Sequence, residues 1–338
     1  MRTEAELEQA LARPTEALVS AMATLDGDLV VLGVGGKMGP SLARLAREAD
    51  RAAGVHRSIY GVARFSRPGL RDALEQAGIT TIACDLLHPG AMSALPDCPN
   101  VVYLVGQKFG TLDDPAATWA TNVVTAGITA CRYRTSRIVA FSTGNVYPFV
   151  SVDGPGADEH TSPSPVGEYA MSALARERVF EYYARAHGTQ TVLLRLNYAV
   201  ELRYGVLRDI ADAVFRGAPV DLTMGHVNII WQRDANAVAL RALAHAAVPP
   251  LVFNLTGTRH LAVRELAERF GARFGVAPRF SGTESDTALL SDTAWCVERF
   301  GEPPTPVDTV IDWVAEWVAN GGRSLERPTH FGEREGRF

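Results

Sequence analysis

The chain has 338 residues, 47% of them hydrophobic and 21% charged, with a formal net charge of -5. This is an ordinary globular composition, and it gives no electrostatic footprint for nucleic acid or an anionic membrane. No apolar run approaches the ~20 residues of a membrane span, and the start MRTEAELEQA lacks the basic and apolar blocks of a secretory signal. The expectation is a cytoplasmic protein that acts on a small molecule. Cys84, Cys98, Cys131 and Cys296 are scattered without CxxC spacing, which suits structural thiols in a reducing compartment, with no metal site.

Thr3 and Glu6 stand at capping-box spacing and open a helical segment; with Pro14 and a second short helix, residues 1–27 form an N-terminal helical extension. DLVVLGVGG reads as an apolar strand running into a glycine turn, and SLARLAREADRAA after it is helical. There follow a strand at 58–63, a helix at 68–77, strands at 79–84 and 100–105, a long helix over 115–133 and a strand at 137–141. A helix carrying Tyr169 and the strand TVLLRL come next. Continuous apolar strands separated by helices argue for a parallel sheet covered on both faces. The fold class expected is α/β: a Rossmann doubly wound parallel sheet over 28–200, also receiving part of 228–255, with a smaller C-terminal α/β substrate domain over 201–320. That second part reads as a helix at 207–216, strands at 219–222 and 228–231, a helix at 235–247, the strand LVFNL, and helices at 263–274 and 307–320. Gly and Arg cluster in 321–338, a surface tail.

Gly33, Gly36 and Gly39 carry GxxGxxG spacing where strand passes into helix. The first permits the turn, the second lets backbone approach a pyrophosphate, and the third lets helix pack on strand. In such a site an acid ending the second strand binds the adenosine ribose, whereas a small residue followed by arginine leaves room for a 2′-phosphate. Here Ala63-Arg64 ends that strand and Arg67 follows, so NADP is expected, with NAD as the alternative. Asp85, after the third strand, is placed for the adenine amino group. Only two of the 33 basic residues are lysines, Lys37 and Lys108, and both fall in expected cofactor loops.

The glycine motif, CDLLHP, VVYLVGQK, TNVVTAG, FSTGNVYPF, YAMSALARE and LLRLNYAV occur in the order and spacing of extended short-chain dehydrogenases/reductases of the NAD-dependent epimerase/dehydratase type. The chain resembles that family from about Asp28 to Asn320, and the extension before Asp28 is not part of the likeness. The resemblance implies a seven-stranded Rossmann domain, a small substrate domain and a homodimer paired through helices. It implies that Gly33, Gly36, Lys37, Met38 and Gly39 hold the pyrophosphate, that Asp85 with Leu86 binds adenine, and that Val105 and Lys108 line the cofactor. Asn122 would support the active-site backbone. Thr143 matches the catalytic Ser/Thr, whose hydroxyl donates to a substrate oxygen. Gly144 and Asn145 stand where sugar-nucleotide dehydratases carry an Asp-Glu pair, which argues against dehydration by that route. Asn145, Asn197 and Tyr198 are the substrate-side candidates, and Asp234 reads as a helix cap. Arg203, Tyr204 and Arg208 are equally an anion contact or a solvated helix face, and Trp231 reads as packed core.

Tyr169 matches the family's tyrosine. A free phenol is a poor base at neutral pH, and the family's lysine four residues on favours the phenolate and holds the nicotinamide ribose. Ala173 stands there, and no lysine follows position 108. Three readings remain: an oxidoreductase in which Tyr169 acts as donor beside Thr143 while Lys108 or Arg176 supplies the cation; an epimerase, isomerase or lyase with a tightly held cofactor; and a silent NADP-binding sensor of the NmrA type. The first leads.

Overall fold

The computed structural model describes residues 1–88 and 90–338; Pro89, which ends the CDLLHP motif, lies outside them. Seven strands form one sheet: β1 (Leu29–Leu32), β2 (Ile59–Ala63), β3 (Thr80–Ala83), β4 (Asn100–Tyr103), β5 (Arg137–Thr143), β6 (Thr191–Leu196) and β7 (Leu251–Leu255). All pairings are parallel and the order is β7-β6-β5-β4-β1-β2-β3. The direction of winding reverses between β1 and β4. In such sheets a crevice opens at the carboxyl ends beside this switch point, where ligands bind.

The strands read as continuous apolar runs because helices cover both faces; every residue of LVVL in β1 and of NVVY in β4 is buried. The sequence places most helices within two or three residues of where they form: α1 (Glu4–Ala12), α2 (Glu16–Thr24), α3 (Gly39–Ala53), α4 (Leu70–Gln76), α5 (Pro115–Trp119), α6 (Thr125–Arg132), α7 (Gly167–His187), α8 (Val206–Phe215), α9 (Gln232–Ala242), α10 (Val263–Phe274), α11 (Ala294–Phe300) and α12 (Val307–Ala319). The expected single helix over 115–133 is interrupted by a π turn at Ala120–Val124. The expected strand at 228–231 splits into His226–Val227 and Ile230–Trp231, which pair with different partners, Leu261–Ala262 and Ala199–Val200. Asp234 is not a helix cap. It lies in the first turn of α9, where its Oδ2 accepts from the Thr305 amide and its Oδ1 from Arg233.

The N-terminal extension is built in. The capping box of Thr3 and Glu6 forms, and α1 and α2 lie against α3 and α9. Leu18 and Met22 enter the core under the sheet; Leu7 and Leu11 enter the second core, between α8, α10 and α12. Arg57 ties this together, pairing with Asp50 and donating to the carbonyls of Leu25 and Met22 at the end of α2. Among the described residues no helix is long and apolar enough to cross a membrane, and no cluster of His, Cys, Asp or Glu has the makings of a metal site.

Candidate functional site

The glycine turn follows β1. Gly33 has φ +83°, and a Cβ there would meet the Val105 nitrogen at 2.9 Å. A Cβ on Gly39 would meet the Val34 oxygen at 2.4 Å, so only glycine lets the start of α3 sit this close to the turn that leaves β1. At Gly36 an added Cβ meets only the Gly33 oxygen, at 3.4 Å. The space over the first turn of α3 is therefore open, and Met38, its N-cap, offers no side-chain acceptor to the turn's amides. An open helix start with orphan N–H groups is a cradle for an anion such as a dinucleotide diphosphate.

A cavity of 260 Å³ runs from this turn along the ends of β4, β5 and β6, and Met38, Val105, Thr143, Tyr169 and Arg176 all line it. Thr143 ends β5 and is 5% exposed. Its Oγ1 accepts from both the backbone and the side-chain nitrogen of Asn145, at 3.2 and 3.0 Å. With its lone pairs engaged, the hydroxyl is left to donate into the cavity. Asn145, expected at the substrate, thus orients Thr143. Asn122 sits on the π turn and clasps the strand-end backbone: Oδ1 accepts from the Gln107 amide at 2.7 Å, and Nδ2 donates to the Gln107 carbonyl and to Ser172 Oγ. Asn197 lines the same cavity but donates to the Leu289 carbonyl. Tyr198 is held at φ +42° with its hydroxyl toward the Phe331 carbonyl, and burial raises its pKa.

On α7, Ala173 is wholly buried against Val146, Tyr147 and Ala157. Arg176 faces the cavity instead: its guanidinium donates to the Val105 carbonyl at 3.0 Å and lies beside Gly106, and its Nε is buried without a partner. One residue further on, Glu177 forms a buried ion pair with Arg195 at 2.8 Å and accepts from Ser142; Arg195 also donates to the Tyr147 hydroxyl, which donates to Asn254. This network underlies the ends of β5, β6 and β7. The sequence reading passed over it; an arginine inside the apolar strand LLRL is its one sequence signal, since a buried guanidinium needs a partner.

Arg64 and Arg67 lie at the end of β2 on the rim of a larger cavity of 1590 Å³, and neither makes an ion pair among the described residues. Partial burial and then the guanidinium of Arg203 hold Arg67 below its usual pKa. Asp85 is exposed and accepts from the Leu87 amide, while Leu86 packs in the core with Val62 and Met92. Arg203 and Arg208 are neither free anion contacts nor a solvated face. Arg203 pairs with Glu201 and Glu8, and Arg208 with Asp212. Trp231 packs edge-on against Trp313.

Residues 29–200, half of the chain, match the family model described as the NAD dependent epimerase/dehydratase family. The chain belongs to this family. It is accordingly an enzyme of the epimerase/oxidoreductase type. Among solved structures it is similar to a UDP-glucuronic acid 4-epimerase variant from Bacillus cereus in complex with a fluorinated UDP-glucuronic acid and NAD (15% identity, 87% of this chain, 99% of that one, TM-score 0.73). A UDP-glucose 4-epimerase from Thermotoga maritima with UDP-glucose gives 18% identity over 87% and 99%, TM-score 0.71. The UDP-glucose 4-epimerase from Thermus thermophilus with NAD gives 19% over 86% and 98%, TM-score 0.69. At these identities the likeness is one of fold. No curated protein matches the chain.

The segment 321–338 runs along the mouth of the cleft and is tied to both sides. On the C-terminal lobe, Asp209 on α8 accepts from the amide and hydroxyl of Thr329, and Arg334 donates to Thr287. On the sheet side, the Phe338 carbonyl accepts from the amide and hydroxyl of Thr111, Gly336 abuts Gly167, and the Phe338 ring meets that of Tyr169 at 5.6 Å. Lys108 donates to the Thr329 carbonyl at 3.1 Å under the Phe338 ring, and burial pushes its ammonium down to about 8. Lys37 reaches from the glycine turn to the Ala199 carbonyl at 2.5 Å, 4.2 Å from the Tyr204 ring centroid. Burial pushes it to about 7, against the raising effect of Glu201 and with Lys108 adding to the drop.

Proposed function

We propose that this chain is an NADP-preferring oxidoreductase that moves a hydride between a nicotinamide and a carbonyl or secondary alcohol carbon of a small polar or sugar-like substrate. What carries the reading is Thr143: its acceptor capacity is taken up by Asn145, so its hydrogen is available to a substrate oxygen inside the same cavity that Tyr169 lines. The bound nicotinamide supplies or takes the hydride. Thr143 donates a hydrogen bond to the oxygen on which negative charge develops, and Tyr169 gives that oxygen its proton in the reductive direction. Arg176 takes over the positive charge that Ala173 lacks, from two turns beyond Tyr169 on the cavity-lining side of α7. The glycine turn holds the diphosphate, Asp85 and Leu86 the adenine, and Arg64 and Arg67 the 2′-phosphate. Six apolar side chains exposed around α5, α6 and α7, Leu112, Trp119, Val124, Val166, Met171 and Tyr182, support pairing of two copies through these helices.

The test is a screen of small polar carbonyl compounds for NADPH oxidation, using cofactor deuterated at C4. The expected result is deuterium on the product carbon, with Thr143→Val and Tyr169→Phe each lowering kcat by about 10²–10³. Wild-type turnover in both variants, or no binding of either nicotinamide, overturns the reading. One observation favours a second reading, epimerisation with a retained cofactor: the tail bonds across the cleft mouth and seals Lys108 beneath Thr329 and Phe338. Nicotinamide that stays with the protein through purification, and turnover without net NADPH oxidation, would select it.

A further inference from the structure

The glycine turn presents its backbone to the start of α3, while the Lys37 side chain points away from it. Instead of lying along α3 it crosses the cleft to the Ala199 carbonyl, at the point where the chain leaves β6 for the C-terminal lobe, and packs over Tyr204. Lys108 enters the same 260 Å³ cavity from the end of β4, close enough for the two ammonium groups to repel. Each has a main-chain carbonyl as its hydrogen-bond acceptor, and neither makes an ion pair among the described residues. The acids that face them are engaged elsewhere: Glu201 by Arg203, and Asp209 by Thr329. In a chain that uses arginine for nearly every other cation, two half-buried lysines lining one cavity with no carboxylate in ion-pair contact are costly to keep.

We propose that Lys37 and Lys108 form a site for an oxyanion of the substrate, a carboxylate or a phosphate, between the glycine turn and the C-terminal lobe. The proposal rests on the reading of this cavity as the nicotinamide and substrate cleft and adds the chemical class of what is bound: the substrate is anionic. Two compact ammonium groups carry six rotatable N–H donors; two go to the Ala199 and Thr329 carbonyls, and the four others suit a tetrahedral or planar oxyanion without imposing fork geometry. Tyr204 closes the site from the α8 side. Its phenol is pushed up by burial and then by the neighbouring Asp209, and it lines the same cavity as Tyr169, the tyrosine at the reacting oxygen.

The experiment uses the full chain labelled with 13C at the lysine ε carbon. The chain has two lysines, so two resonances are expected, assigned by Lys37→Arg and Lys108→Arg. The protein is titrated with NADP+ alone, then with malonate or inorganic phosphate on the NADP+ complex. The expected result is that both midpoints stay depressed in the NADP+ complex and move up, toward the ordinary lysine value, when malonate or phosphate binds. Binding of that anion to the Lys37→Met variant should be about tenfold weaker, the size of one lost charge-assisted contact, while NADP+ binding is retained. If NADP+ alone restores the Lys37 midpoint and Lys37→Met loses NADP+, the lysine serves the cofactor diphosphate and the proposal is wrong. If NADP+ binds and neither anion moves Lys37, the proposal also falls. Failure of NADP+ itself to bind would instead overturn the functional reading beneath it.

Discussion

Replacing Gly36 with alanine separates the cradle from the scaffold. A methyl group there meets the Gly33 oxygen at 3.4 Å, an ordinary contact, and the backbone is not in the left-handed region. Stability should therefore be unchanged, or rise by about 0.4–1 kcal/mol through a stiffer unfolded chain. The methyl does, however, occupy the space over the first turn of α3, where a diphosphate would approach the amides. Displacing one main-chain N–H bond to an anion costs about 1.5–3 kcal/mol, or roughly a 10–150-fold loss of NADPH affinity. Gly39→Ala is the counterpart. Its methyl would stand 2.4–2.7 Å from the Val34 oxygen, Cα and carbonyl carbon, all backbone that cannot rotate away. That variant should lose about 1–3 kcal/mol or more and melt several degrees lower. Fluorescence titration with NADPH and thermal melting of both variants decide the matter. Wild-type NADPH affinity in Gly36→Ala would refute the assignment of the turn as the cofactor cradle, and wild-type melting of Gly39→Ala would refute the packing argument.

Three further outcomes are expected. Arg64→Ala combined with Arg67→Ala should weaken NADPH by about tenfold and leave NADH nearly unchanged, since exposed guanidiniums contribute about 1 kcal/mol or less each to a phosphate; equal losses for the two cofactors would remove the basis for NADP preference. Lys37 is lowered to about 7 from an ordinary 10.5, so the unfolded chain holds the proton more tightly and wild-type stability should climb as pH rises from about 7 toward 10.5. Lys37→Met should accordingly be the more stable protein near pH 6, by on the order of 2–4 kcal/mol after solvent screening, with the gap closing by about pH 10 in chemical denaturation. A gap that is independent of pH would show that the amine is not desolvated. Gly336 has φ +74°, and an added methyl would meet the Val166 oxygen at 2.4 Å, so Gly336→Ala should lift the tail end. Hydrogen exchange at the Thr111 amide, which donates to the Phe338 carbonyl, should speed up by about tenfold or more, and unchanged exchange would mean that the tail holds without that contact.

Much of the fold was legible because it rests on local patterns. Strand runs such as LVVL and TVLLRL, the glycine spacing and the Thr3 and Glu6 capping box each operate within a few residues, and each forms where expected. The π turn at Ala120–Val124 was not legible. Its residues are compatible with a plain helix, and no feature of ATNVV itself demands the extra residue per turn. The split of 228–231 depends on two different partner strands distant in sequence.

The same division runs through the site. The sequence by itself determined that a glycine turn, Thr143 and Tyr169 are all present and that the helix carries alanine at position 173, because these lie in ordered motifs of fixed spacing. It also showed that lysine is confined to positions 37 and 108. The tertiary structure alone decided which atoms are left free to act. Asn145 turns the Thr143 hydroxyl into a donor, and Glu177 and Arg195 cancel each other in the core. Arg176 turns to the cleft while Ala173 faces Val146, and the tail 321–338 comes back over Tyr169. The reason is physical. Spacing along a chain states which groups share a strand or a helix face, but a group's proton, charge and access depend on neighbours that folding brings to it, from 18 residues away for Arg195 at Glu177 to 169 for Phe338 at Tyr169.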